Sequence, residues 1–539
     1  MRALSVGRTL PAMAVVGLLL VSACSEDIQY VERPPFNPPP DSASGFLGYY
    51  AVDEDPAVGR NQTTCGNCHA DINASWAHTA HADAWEGLQS SDHAASYCEA
   101  CHTISELGNP TVGVVGYPAL VADSTNLPDS LVLAVYHDVQ CESCHGPGND
   151  HVATPEATHP LASAYTGADL TTGCGECHEG SHHPFVDQWE ESAHNAGRGF
   201  GYAGTRSGCD ECHNGKVALV EQFGVTANYL EKDDGEVMTI TCVVCHDPHS
   251  EAVPGQLRAP IDEGTTRNLC IKCHNRKPTP SQTTHGFHAA QGPLVLGENV
   301  GWLPDSLEWP YPDVAHFHGD VEVNERLCAG CHVEMFTADN GFHSVGHLFE
   351  AIPCVDADGV PVAGGNCDLD DRRFDACSEC HGTAENSQLK FETYNEELTG
   401  YLKSIWDDVN GNDTLDVAGA DTGLLVRIVQ LGDWTILNQD DDFFTVAEGI
   451  LFNAQLAHTH EAHWFADAYL PIGADSLGAP EYDDFGTHPA SGSGMHNPTL
   501  LRALLQASLA AGSSHYNVAP PAGVNLQLAP DAPIVRKSQ

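Results

Sequence analysis

The chain has 539 residues, 21 cysteines and a net charge of −52, with 22 Lys and Arg against 74 Asp and Glu. Its length admits two or three ordinary domains and a sizeable core. So acidic a surface repels nucleic acid and anionic lipid, which excludes both as electrostatic partners; with only seven lysines it suits saline surroundings, a basic partner or simple solubility.

At the N-terminus, Arg2 and Arg8 precede an apolar run from Leu10 to Val21. Twelve helical residues at about 1.5 Å each cannot cross a hydrocarbon layer of about 30 Å, so the run reads as an export signal. It closes on Val21-Ser22-Ala23-Cys24, which resembles the bacterial lipoprotein cleavage box; a plain signal peptide is the alternative. That resemblance implies removal of 1–23, lipidation of Cys24 and a mature charge of −54 once Arg2 and Arg8 are lost. An Asp after the cysteine would imply retention at the inner membrane. Ser25 stands there instead, and the expectation is a lipid anchor at the outer membrane. The stretch 24–60 reads as a tether, because "ERPPFNPPPDSASG" (32–45) is too proline-rich for helix or sheet core. At about 3.1 Å per extended residue, some twenty residues lift the body about 60 Å from a membrane.

From residue 65 one unit recurs nine times: Cys-x-x-Cys-His. In order, motifs one to nine are Cys65/Cys68/His69, Cys98/Cys101/His102, Cys141/Cys144/His145, Cys174/Cys177/His178, Cys209/Cys212/His213, Cys242/Cys245/His246, Cys270/Cys273/His274, Cys328/Cys331/His332 and Cys377/Cys380/His381. Cysteines at i and i+3 share one side of a helical turn, so two sulfurs can reach the two vinyl groups of one haem while the next histidine projects at the iron. Zinc is the rival. It needs two such pairs per site, whereas nine is odd, and it needs no histidine after every second cysteine. A redox dithiol would not recur nine times. The expected cofactors are nine covalent haems c, held by the eighteen cysteines, with the nine named histidines as proximal ligands. Cys24 takes the lipid, which leaves Cys354 and Cys367. In an exported chain these read as a disulfide contributing about 3 kcal/mol, against two free thiols.

Residues 65–381 supply 317 residues for nine motifs, about 35 each. A haem face buries several hundred Å², on the order of 10 kcal/mol, and so short a segment cannot enclose it. The haems must therefore pack on one another, which is also what conduction needs.

A haem iron with one histidine has an open face suited to catalysis; a second histidine gives a low-spin iron suited to electron transfer. Of 31 histidines, 22 remain for that role. Here "SWAHTAHADAW" (75–85) and "QWEESAHNAG" (188–197) resemble the W-x-x-S/T-x-H-x-x-A segment of multihaem cytochromes c, and "CESCHGPGNDH" and "CVVCHDPH" are similar to haem segments of that group. The group includes the tetrahaem electron acceptor of hydroxylamine oxidoreductase, octahaem oxidoreductases and pentahaem nitrite reductases. The resemblance covers roughly residues 60–390. It implies His81, His151, His194 and His249 as distal ligands, with His151 capping a haem other than its own. Further expected distal ligands are His183, His288 (with His285 as rival), His318 (with His316 as rival), His347 and His496. His78, His93, His137, His458, His460 and His463 receive no role.

The segment 388–539 has no such motif. Tyr394, Leu398, Tyr401, Leu402 and Ile405 recur at helical spacing; 440–456 and 497–510 read as two more helices, the last capped by Asn497 with Pro498 in its first turn. Between them, Asp408, Asn410, Asn412 and Asp416 match positions 1, 3, 5 and 9 of a calcium loop, but Asp413 stands where glycine belongs and Gly419 where glutamate does. Calcium and an acidic solvated turn both remain readings, the departures favouring the turn.

The expected protein is mostly α-helix and coil: a haem domain at 61–387 and a haem-free helical region at 388–539 packed against it. Its expected role is electron transfer toward a partner cytochrome, a quinol-side donor or an extracellular acceptor, with the membrane touched through the lipid alone. One alternative is an oxidoreductase acting on nitrite or hydroxylamine at one open haem, although no Cys-x-x-Cys-Lys occurs. The other is a subunit of a conductive filament.

Overall fold

The computed structural model describes residues 45–50, 62–122, 133–166, 173–197, 199–304, 317–362, 367–432, 434–485 and 493–524. The signal segment, Cys24, nearly all of the tether and His316 lie outside the described residues.

The Cys-x-x-Cys-His segments fold as single turns. In five of them the histidine N–H donates to the carbonyl of the first cysteine: His69 to Cys65, His178 to Cys174, His213 to Cys209, His246 to Cys242 and His274 to Cys270, all at 2.8–3.0 Å. Others form the short helices Cys141–His145, Cys328–His332 and Asp375–His381. Two of these stop at glycines with positive φ, Gly146 (78°) and Gly382 (98°), a conformation in which a Cβ would clash. Long coil connects the turns, and the described strands are two antiparallel pairs: Phe336–Thr337 with His343–Ser344, and Tyr469–Ala474 with Pro480–Asp484. The chain is thus mostly helix and coil with little sheet.

Apolar packing is uneven. Across the motif-bearing part the clusters are small, such as Phe46, Ile104, Tyr117 and Tyr136, or Tyr49, Trp76 and Ala82. The large cluster lies in the C-terminal part, where Leu398, Leu402, Trp406, Leu451, Phe452, Leu501 and Leu504 are buried. The reason is the one given by length: about 35 residues per motif cannot build a core of their own, while 150 residues without motifs can.

That C-terminal core is carried by the helices Ala384–Ile405, Leu424–Val429, Val446–Ala457 and Pro498–His515. The expected helix over 440–456 begins only at Val446. Thr445 closes a capping box with Glu448, which satisfies the first free N–H groups and sets the start there. Asn497 caps the last helix by accepting from Leu500 N. The core continues into the motif-bearing part through Phe287, Leu294 and Val300. Asn453 exchanges two hydrogen bonds with Trp302, each 2.8 Å, and His285 Nδ1 lies 3.1 Å from Glu448 Oε1. Residues 41–539 form one compact unit.

At the other end, Glu142, inside motif three, anchors the first described segment. Its buried carboxylate accepts from Leu47 N, Gly48 N and Gly148 N at 2.7–3.0 Å. Burial outweighs these bonds and pushes its pKa from 4.5 up to about 7. A raised carboxyl pKa means that the folded state holds the proton more tightly. Its contribution is therefore complete below pH 4.5 and is lost as pH rises through about 7, a span of about 3 kcal/mol. Glu142→Gln is expected to flatten this slope in denaturant midpoints measured from pH 4.5 to 8. Parallel profiles for the two proteins would contradict the assignment.

Candidate haem centres

Each motif histidine faces a second imidazole. Ring centroids are 6.3 Å apart for His69 and His151, 6.5 Å for His102 and His183, 6.2 Å for His145 and His249, and 6.1 Å for His178 and His81. They are 6.0 Å apart for His213 and His288, 6.4 Å for His246 and His347, and 6.3 Å for His274 and His194. The last two pairs are His332 with His496 at 6.1 Å and His381 with His318 at 6.3 Å. His183 also lies 6.2 Å from His178. Since His102 needs His183, a one-to-one matching leaves His81 to His178.

This spacing has a simple meaning. A metal–imidazole bond is about 2.0 Å and the ring nitrogen sits roughly 1.1 Å from the centroid, so two imidazoles on opposite faces of one metal lie about 6.2 Å apart. Rings in van der Waals contact would be closer. Among the described residues no group of three or more His, Cys, Asp or Glu side chains is arranged to hold a metal ion. Each centre therefore offers two trans nitrogens and no equatorial donors from protein, and its two cysteines lie at the rim. The donor set fits a planar macrocycle that brings its own four nitrogens and is tethered by two thioethers. It does not fit tetrahedral zinc.

The imidazoles are aimed by local structure. Nδ1 of His102, His246 and His332 donates to the carbonyls of Ala84, Gly255 and Phe349, each at 2.8 Å. Nδ1 of His151, His318 and His347 donates to those of Thr158, Met495 and Val345 at 2.5–2.9 Å. Tying up Nδ1 fixes the tautomer and leaves the Nε2 lone pair for a metal. Burial keeps these rings neutral. It holds the pKa of His194 down to about 3, helped by the neighbouring His274, and that of His178 down to about 4, helped by His81.

The two W-x-x-S/T-x-H segments are built alike. Trp76 Nε1 donates to Val139 O, and Val139 N donates to His81 O. Trp189 Nε1 donates to Ile240 O, and Ile240 N donates to His194 O. The hydroxyls of Thr79 and Ser192 close the intervening turns on the Trp76 and Trp189 carbonyls. Val139 and Ile240 each stand two residues before a motif, in Cys141–His145 and Cys242–His246. Each segment thus docks its histidine beside the root of a later motif.

The remaining residues singled out in the sequence fall elsewhere. His285 is buried on Glu448 and the Gln282 carbonyl, so its bonds join the two parts of the chain. His137 stacks on Trp85 at 3.9 Å, and His458 donates Nδ1 to Gln455 O. Cys354 and Cys367 form a disulfide with Cα atoms 5.7 Å apart. In the 408–416 loop, Asp408 accepts from the N–H groups of Gly411, Asn412 and Asp413, and Asp416 from the side-chain amides of Asn410 and Asn412. The loop's own amides thus occupy the oxygens that a cation would need. Sequence reasoning missed the carbonyls that aim the imidazoles, because a backbone acceptor has no residue signature.

Residues 235–279 match the doubled CXXCH motif family, and these residues hold motifs six and seven. With nine such motifs in a helix-and-coil fold, the chain is a multihaem c-type cytochrome, a protein that binds haem c covalently and transfers electrons through it. Among solved structures it is similar to the outer cell wall cytochrome OcwA, at 15% identity and a TM-score of 0.44, over 83% of this chain and 98% of that one. It is also similar to the undecahaem cytochrome from the S-layer of Carboxydothermus ferrireducens, at 18% identity and a TM-score of 0.41, over 80% of this chain and 57% of that one. No curated protein matches the sequence. No described helix is long and apolar enough to cross a membrane.

Proposed function

We propose that the chain is an exported nonahaem conduit in which every iron has two histidines. The observation that carries this reading is the complete matching of nine motif histidines to nine others at 6.0–6.5 Å. Haem, when bound, supplies a one-electron Fe(III)/Fe(II) couple. The chain's contribution is to hold an imidazole on each face in both oxidation states, so that little rearranges when an electron arrives or leaves. Donors and acceptors are other redox proteins or extracellular acceptors. An oxidoreductase reading requires an iron with one face free, and none of the nine matched pairs offers one. Calcium forms no part of this reading, since the acidic loop satisfies its own oxygens. Pyridine haemochrome quantification of purified protein is expected to give nine covalent haems with low-spin spectra in both oxidation states. A count of five or fewer, or one high-spin haem per chain with nitrite or hydroxylamine turnover, overturns the reading.

The anchor in this reading is lipid on Cys24 after removal of 1–23, at the outer membrane, with the proline-rich tether as spacer. Cys24→Ala is expected to move the protein from the membrane to the soluble fraction and to abolish the acyl mass seen on the intact wild type. If the wild type has no acyl chain and the variant stays membrane-bound, the anchor is something else.

A further inference from the structure

The thiols of different motifs meet in a pattern that orders the centres. Cys65 of motif one is a hydrogen-bonding neighbour of Cys141 in motif three, and Cys174 of motif four is one of Cys242 in motif six. Cys270 of motif seven meets Cys328 of motif eight in the same way. Cys144 lies within electrostatic reach of Cys174, Cys245 of Cys270, and Cys331 of Cys377, which links three to four, six to seven and eight to nine. Two contacts lead off this line. Cys101 of motif two touches Cys177 of motif four, and Cys212 of motif five touches Cys273 of motif seven.

The imidazoles repeat the pattern from separate atoms. His69 neighbours His145, His178 neighbours both His246 and His102, and His274 neighbours both His332 and His213. Ligand donation interlocks the same centres: His151 follows motif three yet faces His69 of motif one, and His183 follows motif four yet faces His102 of motif two. Exposure marks the ends. Of the eighteen motif cysteines, only Cys68 of motif one and Cys380 of motif nine are exposed; the other sixteen are partly buried.

We infer that the nine centres form a through-path in the order one, three, four, six, seven, eight, nine, whose two ends exchange electrons with partners, while the centres at motifs two and five are single-haem side branches that store charge and do not transmit it. The inference rests on the conduit reading above and adds its order. Thiols in contact become thioether edges in contact, and tunnelling falls exponentially with distance, so electrons follow these contacts. Motifs four, six and seven are then points at which one missing haem severs the path. Motifs two and five are not.

The test injects an electron at one end and watches the other. A tris-bipyridyl ruthenium photoreductant is attached to Glu385→Cys, an exposed site beside motif nine, in the full chain with nine haems. The motif-one haem is marked by His151→Met, since methionine ligation changes its spectrum and raises its potential. The marked haem is expected to become reduced after the flash. Removing the motif-two haem (Cys98→Ala with Cys101→Ala) or the motif-five haem (Cys209→Ala with Cys212→Ala) should leave that rate unchanged. Removing the motif-six haem (Cys242→Ala with Cys245→Ala) should abolish arrival. The same loss is expected for motif four (Cys174→Ala with Cys177→Ala) and motif seven (Cys270→Ala with Cys273→Ala), so failure of one variant to fold leaves the test intact; mass and circular dichroism confirm the loss of one haem and no more. Arrival that survives loss of motif six, or fails on loss of motif two, overturns the order and leaves the conduit standing. If no haem accepts the injected electron, the conduit reading itself falls.

Discussion

His496→Ala is expected to convert one haem of nine from low spin to high spin and to raise carbon monoxide binding from none to one per chain. His496 is the ring that faces His332, at 6.1 Å and nearly parallel, and no other imidazole stands beside His332 to replace it. A bis-histidine iron binds carbon monoxide only after a ligand bond breaks, whereas an iron missing one ligand has a site ready. Haem attachment rests on Cys328 and Cys331, so the haem count should not change. The neighbouring centre should respond as well, because the carbonyl of Met495 accepts from Nδ1 of His318, the ring facing His381. Magnetic circular dichroism and a carbon monoxide titration read the outcome. A variant that remains wholly low-spin would mean that His332 takes its partner from elsewhere.

The second large effect belongs to His151→Ala. Its ring faces His69 at 6.3 Å, and its Nδ1 is held by the Thr158 carbonyl. His159 lies 6.3 Å from the His151 ring at a 52° tilt. To serve His69 it would have to travel to the vacated position against its own backbone, so the single substitution should already yield one high-spin, carbon-monoxide-binding haem. The thioethers to Cys65 and Cys68 keep all nine haems in place. Adding His159→Ala should change the spectrum no further. If the single variant stays low-spin and the double variant does not, His159 is a reserve ligand and the local backbone is more mobile than its hydrogen bonds imply.

These two substitutions also show where the sequence was informative. His332 and His381 belong to motifs in which cysteines and histidine lie within five residues, and chemistry that local is legible in any order of the chain. The histidines opposite are not local. His496 follows His332 by 164 residues, and His347 faces His246 across 101. Resemblance to known segments pointed to His81, His151, His194 and His249. The choice of His288 over His285 lies in tertiary contacts: His285 is drawn to Glu448, an acid that the sequence places 163 residues away.

By itself the sequence determined the nine attachment segments, the covalent cofactor class, the shortage of residues for a core around them, the helical character of the C-terminal part and the cysteine pair left over for a disulfide. These follow from spacing, count and period, which are properties of short stretches. Only the tertiary structure decided which imidazole faces which, which carbonyls aim them, that the C-terminal helices begin at Val446 and Pro498, that an acidic hairpin forms at 469–484, and in what order the thiols of different motifs meet. The physical reason is common to all of these. A ligand pair, a carbonyl acceptor or a contact between edges is set by two distant segments packed together, and its energy is written in neither segment alone.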